Sequence, residues 1–194
     1  MEISSAQLKE LRDKTGISVM QCKRALEEAE GDMDKAVIIL KKKRSEAAEK
    51  KSDRELASGS VGVYIHNTNE VAAMVLLACE TDFVSKNPEF ITLAKEIAMQ
   101  VAATAPAFIA RAEVSDEIIQ KAKEVFAPEV EGKPEEMKEK IMEGKLSAYF
   151  RDQILMEQPF IKNPDVTISE MVNGAVQKFG ENVSIVKISR VSVK

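Results

Sequence analysis

The sequence predicts an α+β protein, with an N-terminal three-helix domain followed by a core domain whose small antiparallel sheet is covered by helices. Three observations lead to this prediction. Capping residues divide the first 40 residues into three short helical segments, two β-type segments flank a turn near residue 68, and a third β-type segment closes the chain. Strands at both ends of a domain with helices between them are typical of the α+β class.

The N-terminal domain is expected to span residues 1–40. Ser4 and Ser18 are each followed by a glutamine three residues later, which is a capping-box pattern. Gly16 and Gly31 suit the left-handed residue that ends a helix, and Asp32 suits the N-cap of the third helix. The inward faces of these helices are formed by Leu8, Leu11, Cys22, Ala25, Leu26, Ala29, Ala36, Val37 and Leu40.

Residues 41–55 form a charged segment with seven basic and four acidic residues and no side chain larger than alanine to bury. This composition is typical of a solvated helix extension or a linker. A nucleic-acid-binding tail is the alternative, but the interspersed acids disfavour it. We therefore expect a charged linker or helix extension between the two domains.

The core domain is expected to span residues 56–194. The segments 60–66 and 70–80 are predicted to pair as a hairpin around residues 67–69. The second strand is apolar at nearly every position, which predicts burial on both faces. Asn87 and Pro88 mark the start of a helix that stops before Pro106, and another helix is predicted between Ser115 and Pro128.

The later part of the core domain carries the clearest helical pattern in the chain. Residues 132–155 are predicted to be helical in two parts separated by Gly144, and Thr167 with Glu170 forms a further capping box. Gly180 follows the helix that this capping box begins, and residues 183–194 read as a final edge strand. The apolar face of that helix is formed by Ile168, Met171, Val172, Ala175, Val176 and Phe179.

The charge and cysteine content restrict the functions that this chain can have. The formal net charge is −4 and the isoelectric point is about 5.3, which gives no general attraction to nucleic acid or to anionic membranes. No apolar run approaches the roughly 20 residues of a membrane span, and the N-terminus lacks an apolar signal core. Cys22 and Cys79 form neither a disulfide framework nor a metal-ligand pattern, so a reduced cytoplasmic location is expected.

Motifs for catalysis or for cofactor binding are missing from the sequence. Neither a phosphate-binding glycine loop nor a dinucleotide-binding fingerprint occurs, so no cofactor is expected. His66, the single histidine, lies at the predicted hairpin turn, whereas Cys79 lies at the far end of the returning strand, too distant for a nucleophile–base pair. We therefore expect a protein that is not an enzyme, with both cysteines buried as small apolar residues.

The segment CETDFVSKN, residues 79–87, places an acid and an aromatic ring side by side where a strand gives way to a helix. One interpretation is structural: Phe83 fills the core beneath a loop, and Asp82 caps a turn. However, Asn87 and Pro88 already provide the cap of the following helix. A loop held by a rigid scaffold is also a common place for recognition residues.

The same segment closely resembles the central signature of the bacterial elongation factor Ts family. Residues 11–40, LRDKTGISVMQCKRALEEAEGDMDKAVIIL, resemble the N-terminal domain of that family, and EGKLSAYF and EQPFIKNPDVTISEMV resemble its later segments. Members of the family bind elongation factor Tu, a translational GTPase, and speed its release of GDP. The resemblance therefore implies a guanine-nucleotide exchange factor that acts during translation elongation.

The resemblance also implies roles for individual residues. Thr81, Asp82, Phe83 and Val84 match the element that disturbs the Mg²⁺ and phosphate site of elongation factor Tu. Arg12, Val19 and Met20 match the contact between a ubiquitin-associated-like N-terminal domain and the partner's GTPase domain. Ser18 and Val19 stand where glycine and methionine are common in the family, which implies a differently shaped contact.

Oligomeric state and an alternative function remain open at the level of sequence. The chain is short for the family, with no room after Phe160 for a duplicated core half, and short members are thought to be homodimers. The C-terminal strand is the expected dimer contact. The alternative function is a ubiquitin-type adaptor whose remaining residues form a passive dimerisation domain, although that function leaves the signature at residues 79–87 unexplained.

Overall fold

The computed structural model of the chain describes residues 3–132 and 134–193. Its first three helices are α1 (Ser5–Thr15), α2 (Val19–Glu28) and α3 (Met33–Glu49). Both sides of the capping box form between Ser4 and Gln7, and Gly16 ends α1 in the left-handed conformation with φ of 68°. These helices enclose a small apolar core in which Leu11, Cys22 and Leu26 are fully buried.

Helix α3 crosses the predicted boundary at residue 40 and continues to Glu49. The division of the chain at residues 40 and 55 stays a prediction, as does the likeness of the first unit to a ubiquitin-associated domain. Arg44, in the charged segment, packs above Gly174, which lies in a later helix of the core. The charged segment therefore contacts the core and is not solvated along its whole length.

The main sheet contains β1 (Ser58–Ile65), β2 (Val71–Cys79) and β5 (Val183–Ser192) in the order β1-β2-β5. Both pairings are antiparallel, and the register between β2 and β5 shifts between Leu76 and Leu77. The predicted hairpin and the predicted C-terminal edge strand are thus present. Together with the helices described below, this sheet confirms the α+β class.

The prediction that β2 is buried on both faces was wrong. Ala73, Val75 and Leu77 alternate into the core, whereas Met74 lies on the opposite face and is 48% exposed. In the part of the chain that the structure describes, helices pack against one face of the sheet. A nearly continuous apolar strand can therefore have one face in contact with water, because what covers a sheet is decided by distant segments.

The covered face packs against α5 (Pro88–Thr104) and α8 (Ile168–Phe179). Gly62 lets α5 approach β1 closely: a β-carbon at this position would lie 2.1 Å from the backbone oxygen of Ala94. The capping box of α8 forms between Thr167 and Glu170, and Gly180 ends this helix. The large buried side chains of the core are Val75, Leu77, Phe90, Ile97, Val101, Leu155 and Ile168.

A helical hairpin formed by α6 (Asp116–Phe126) and α7 (Glu135–Arg151) has a small core of its own, around Phe150 and Ile154. The predicted break at Gly144 was wrong, because α7 runs through it. A single glycine costs a helix only about 1 kcal/mol relative to alanine, so tertiary packing can keep the helix continuous.

A second hairpin, β3 (Pro159–Phe160) with β4 (Asn163–Thr167), was not predicted from the sequence. The fully buried side chain of Gln100 in α5 anchors it. Its amide nitrogen donates to the backbone oxygen of Pro159 at 3.2 Å, and its amide oxygen accepts from the backbone N–H of Ile161 at 2.9 Å. Within the described residues, no helix has the length and apolarity that a membrane crossing requires.

Candidate partner-binding site

The corner, defined here as residues 81–86, joins β2 to α5. It contains α4 (Asp82–Ser85), a single helical turn where the sequence suggested a loop. Asn87 then caps α5, accepting a hydrogen bond from the backbone N–H of Glu89 at 2.9 Å, and Pro88 occupies the first turn. The chain can therefore reverse direction sharply between a buried strand and a long helix.

The four predicted signature residues are placed together, but they point in different directions. The side chain of Phe83 is 86% exposed, whereas that of Val84 is 8% exposed and belongs to the main apolar core. Thr81 and Asp82 are exposed beside Phe83. The structural interpretation in which Phe83 fills the core therefore does not hold, and Val84 is the residue that anchors the corner.

Asp82 forms an ion pair within the corner. Its Oδ2 atom accepts a hydrogen bond from Nζ of Lys86 at 2.7 Å, and this bond lowers the pKa of the Asp82 carboxyl. Both side chains are mostly exposed, so the pair contributes little to folding. The carboxylate is thus ionised at neutral pH and faces solvent beside an exposed aromatic ring.

Hydrogen bonds from β1 and from the last residue of β2 hold the corner. The hydroxyl of Ser58 donates to that of Ser85 at 2.8 Å, and the hydroxyl of Ser60 donates to the backbone oxygen of Ser85. The Sγ atom of Cys79 donates to the backbone oxygen of Thr81 at 3.2 Å. These bonds fix the backbone on either side of Phe83, so its exposure comes from a held turn.

His66 and Cys79 lie at opposite ends of the hairpin, as predicted. Cys79 pairs with Ser58 at the start of β1, while His66 follows the end of β1 and shares a hydrogen bond with Thr68 at 3.0 Å. Burial raises the pKa of the Cys79 thiol, which disfavours the nucleophilic thiolate. Among the described residues, no group of three or more His, Cys, Asp or Glu side chains is placed to hold a metal ion.

A cavity of about 830 Å³ lies between α6 and α7, away from the corner. Its apolar lining includes Ile119, Leu146 and Phe150, and its charged lining includes Arg111 and Lys123. Arg111 is already engaged by Glu157 through two hydrogen bonds of 2.6 Å. Among the described residues, the lining contains neither histidine nor cysteine, so the cavity offers no thiol nucleophile and no imidazole base.

The three predicted contact residues of the N-terminal unit lie around the link between α1 and α2. Arg12 is in the last turn of α1, and Val19 and Met20 open α2; all three are exposed. Ile17, between them, is buried and anchors the link. Val19 and Met20 thus form a small exposed apolar surface on a fixed turn.

The N-terminal unit is joined to the core by side chains that sequence reasoning missed. The guanidinium of Arg44 donates to the amide oxygen of Gln177 and to the backbone oxygen of Thr15, both at 3.2 Å. The amide nitrogen of Gln177 in turn donates to Gln21 in α2 at 2.9 Å. Burial lowers the pKa of Arg44, and these bonds compensate its desolvation.

An ion pair adds to these hydrogen bonds at the same junction, where Nζ of Lys41 is 2.8 Å from Oε1 of Glu170. Helix α3 is therefore attached to α8 at two points, which lie about one turn apart on α3 and about two turns apart on α8. This attachment fixes the exposed surface of Val19 and Met20 relative to the core that carries the corner. The sequence signal for this attachment was weak: Arg44 follows three lysines in the charged segment. A guanidinium group suits buried hydrogen bonding better than a lysine ammonium group does.

Comparison with known proteins identifies the family. Residues 40–194 match the family model described as Elongation factor TS. The chain is 45% identical over 190 residues to Elongation factor Ts of Carboxydothermus hydrogenoformans, covering 97% of this chain and 88% of that protein.

Two further relatives extend the match over the whole chain. The chain is 44% identical over 194 residues to Elongation factor Ts of Thermodesulfovibrio yellowstonii, covering 100% of this chain and 97% of the relative. It is 41% identical over 195 residues to Elongation factor Ts of Fervidobacterium nodosum, covering 100% of this chain and 99% of the relative. The chain therefore belongs to the elongation factor Ts family.

Proposed function

We propose that this chain, as a nucleotide exchange factor of translation elongation, binds elongation factor Tu and releases its GDP through the corner. One observation carries the proposal: Phe83 is 86% exposed on a turn whose backbone is held on both sides. Aromatic side chains are enriched among the residues that dominate protein–protein binding, and recognition residues are common on loops held by a rigid scaffold. Family membership supplies the partner, and the exposed ring supplies the point of contact.

In this mechanism, the two exposed signature residues have different tasks. Phe83 enters an apolar slot of the partner and displaces the elements that line it. Asp82 brings a carboxylate next to the Mg²⁺ and phosphate site of the partner. There its negative charge repels the phosphates and competes for the hydrogen-bonding groups around the metal. Weaker binding of Mg²⁺ also weakens the binding of GDP, because the ion is coordinated by the phosphates of the nucleotide.

The exposed surface of Arg12, Val19 and Met20 provides a second contact with the partner's GTPase domain. Its attachment through Arg44 and Gln177 supports this assignment, since two contacts on one rigid body bind with less loss of freedom than two on a flexible chain. The exchange step makes and breaks no covalent bond in this chain. We also place the chain in the cytoplasm, where translation elongation takes place.

The direct test is the rate at which fluorescent GDP leaves purified elongation factor Tu, with and without this chain. Acceleration at substoichiometric amounts of the chain supports exchange, whereas an unchanged rate contradicts it. The same preparation distinguishes the alternatives. Retention on immobilised ubiquitin favours the adaptor, and turnover of nucleotide or ester by the chain alone contradicts the expectation that the chain is not an enzyme.

We further propose that two copies of the chain form a homodimer through the uncovered face of the main sheet and its edge strand β5. That face exposes Val61, Val63, Ile65, Met74 and Val191. The outer edge of β5 and this apolar face together offer both hydrogen bonds and apolar area to a second copy. Light scattering should give twice the chain mass at micromolar concentration, and Val191→Asp should give a monomer; a monomeric wild type would refute the proposal.

A further inference from the structure

Helix α4 lacks the local hydrogen bond that usually fixes the start of a helix. Thr81 is its N-cap residue, with extended backbone angles, but its side chain makes no capping bond to α4. A helix of a single turn has almost no stability of its own. The orientation of Phe83, in the first turn of α4, must therefore be set by groups outside the corner.

Ser58, Ser60 and Cys79 supply some of those groups, and the side chain of Glu181 supplies others from the turn between α8 and β5. Its Oε2 atom accepts hydrogen bonds from the backbone N–H groups of Glu80 and Thr81 at 3.1 and 3.0 Å. Its Oε1 atom accepts from the hydroxyl of Thr81 at 2.5 Å. One carboxylate thus engages three donors at the entrance to the corner, from a position 100 residues further along the chain.

A reciprocal contact holds Glu181 in place. The Oε1 atom of Glu80 accepts from the backbone N–H of Asn182, and this bond is the main cause of the lowered pKa of Glu80. The side-chain amide of Asn182 donates to the backbone oxygens of Ser52 and Arg54 at 3.1 and 3.0 Å. The two turns are therefore tied together in both directions, and the second turn is tied to the segment after α3.

We propose that Glu181 is a positioning residue for nucleotide exchange: it orients the entrance to the corner so that Phe83 and Asp82 are presented to the partner in one geometry. This inference rests on the proposed function of the corner. Hydrogen bonds to an ionised acceptor are stronger than those between neutral groups. A preorganised recognition element also loses less conformational freedom when it binds.

The test compares two substitutions of Glu181 in the full chain. Glu181→Ala removes all three acceptor contacts. Glu181→Gln retains them in part, because its amide oxygen can accept both backbone N–H groups while its NH₂ group donates to the hydroxyl of Thr81. Glu89→Ala is the matched control, since Glu89 is also exposed near the corner and its carboxylate pairs with Lys178, with no hydrogen bond or ion pair to residues 81–86.

Two readouts are measured for each variant: amide hydrogen exchange of residues 82–86 in the free chain, and the maximal rate of GDP release from elongation factor Tu. For Glu181→Ala we expect faster amide exchange in the corner and a maximal release rate lowered about tenfold or more, as misplacement of a recognition group commonly causes. Glu181→Gln should recover most of that rate, and Glu89→Ala should match the wild type. Melting temperatures report whether each variant is folded.

Several outcomes would overturn the inference. Unchanged amide exchange in the corner of Glu181→Ala would show that Glu181 does not order it, whatever the partner does. Equal losses of release rate in the Ala and Gln variants would contradict a role through hydrogen bonding. Phe83→Ala separates the two proposals: if it is impaired while Glu181→Ala is normal, only the positioning role fails, whereas a normal Phe83→Ala refutes the function of the corner as well.

Discussion

Replacing Phe83 with alanine should abolish most exchange activity and leave the fold almost unchanged. The residue is 86% exposed, so only about one seventh of its surface is covered by the protein. If a fully buried aromatic side chain covers about 200 Å², the loss is about 30 Å², or about 0.7 kcal/mol at about 25 cal/mol per Å². For a chain of this size, that corresponds to a fall of about 1–3 °C in melting temperature.

The effect on exchange should be far larger, because the exposed part of the ring is what the partner would cover. Burying about 170 Å² in a partner slot contributes up to about 4 kcal/mol by the same area coefficient. Each 1.36 kcal/mol that is lost from the transition state for GDP release slows it about tenfold. We therefore expect at least a tenfold lower rate, measured as the loss of fluorescent GDP from elongation factor Tu.

Phe90→Ala is the matched control, since Phe90 lies seven residues away and is fully buried in the main core. Truncating a buried phenylalanine typically costs about 3–5 kcal/mol, so this variant should melt about 10 °C lower. A large fall in melting temperature for Phe83→Ala, with normal exchange by the protein that remains folded, would refute the reasoning. It would mean that Phe83 supports the fold and does not contact the partner.

Four further predictions follow from the site. If Asp82 and Phe83 act on one transition, the double variant Asp82→Ala/Phe83→Ala should lower the release rate by less than the product of the two single effects. Strictly multiplicative effects would show that the two residues act independently. Calorimetry should show that the chain binds GDP-bound partner more weakly than nucleotide-free partner, by the same factor by which the chain lowers the partner's affinity for GDP. Equal affinities for the two forms would indicate binding without exchange activity. Arg44→Ala should lower the affinity for the partner more than Arg44→Lys does, because the alanine variant loses the hydrogen bonds that join the N-terminal unit to the core. The same variant should expose α3 to protease. An unchanged affinity would show that this junction has no part in the mechanism. Because the hydrogen bond from Asn182 lowers the pKa of Glu80 in the fold, the stability that this bond adds is present above the ordinary Glu80 pKa of about 4.5 and is lost as pH falls through the lower folded value. Glu80→Gln should therefore reduce, without abolishing, the acid-induced rise in amide exchange at the corner.

Local chemistry made much of the fold readable from the sequence. Ser4 with Gln7, and Thr167 with Glu170, are pairs whose hydrogen bonds close within a single turn, so their spacing alone predicts the start of a helix. The hairpin and the last strand were likewise evident from β-branched and apolar runs around a turn. The signature at residues 79–87 stood out because an acid and an aromatic ring occupied a place where Asn87 already met the structural need.

Contacts between distant segments were decided only by the tertiary structure. The sequence did not reveal that one face of β2 stays uncovered, that α7 continues through Gly144, or that Arg44 reaches Gln177 across the junction. In the sequence, Glu181 is one more acid in a charged chain; the fold brings its carboxylate to three donors of Glu80 and Thr81, which lie 101 and 100 residues earlier. Such contacts leave no periodic trace, because they depend on where folded elements end and not on the spacing of residues within one element.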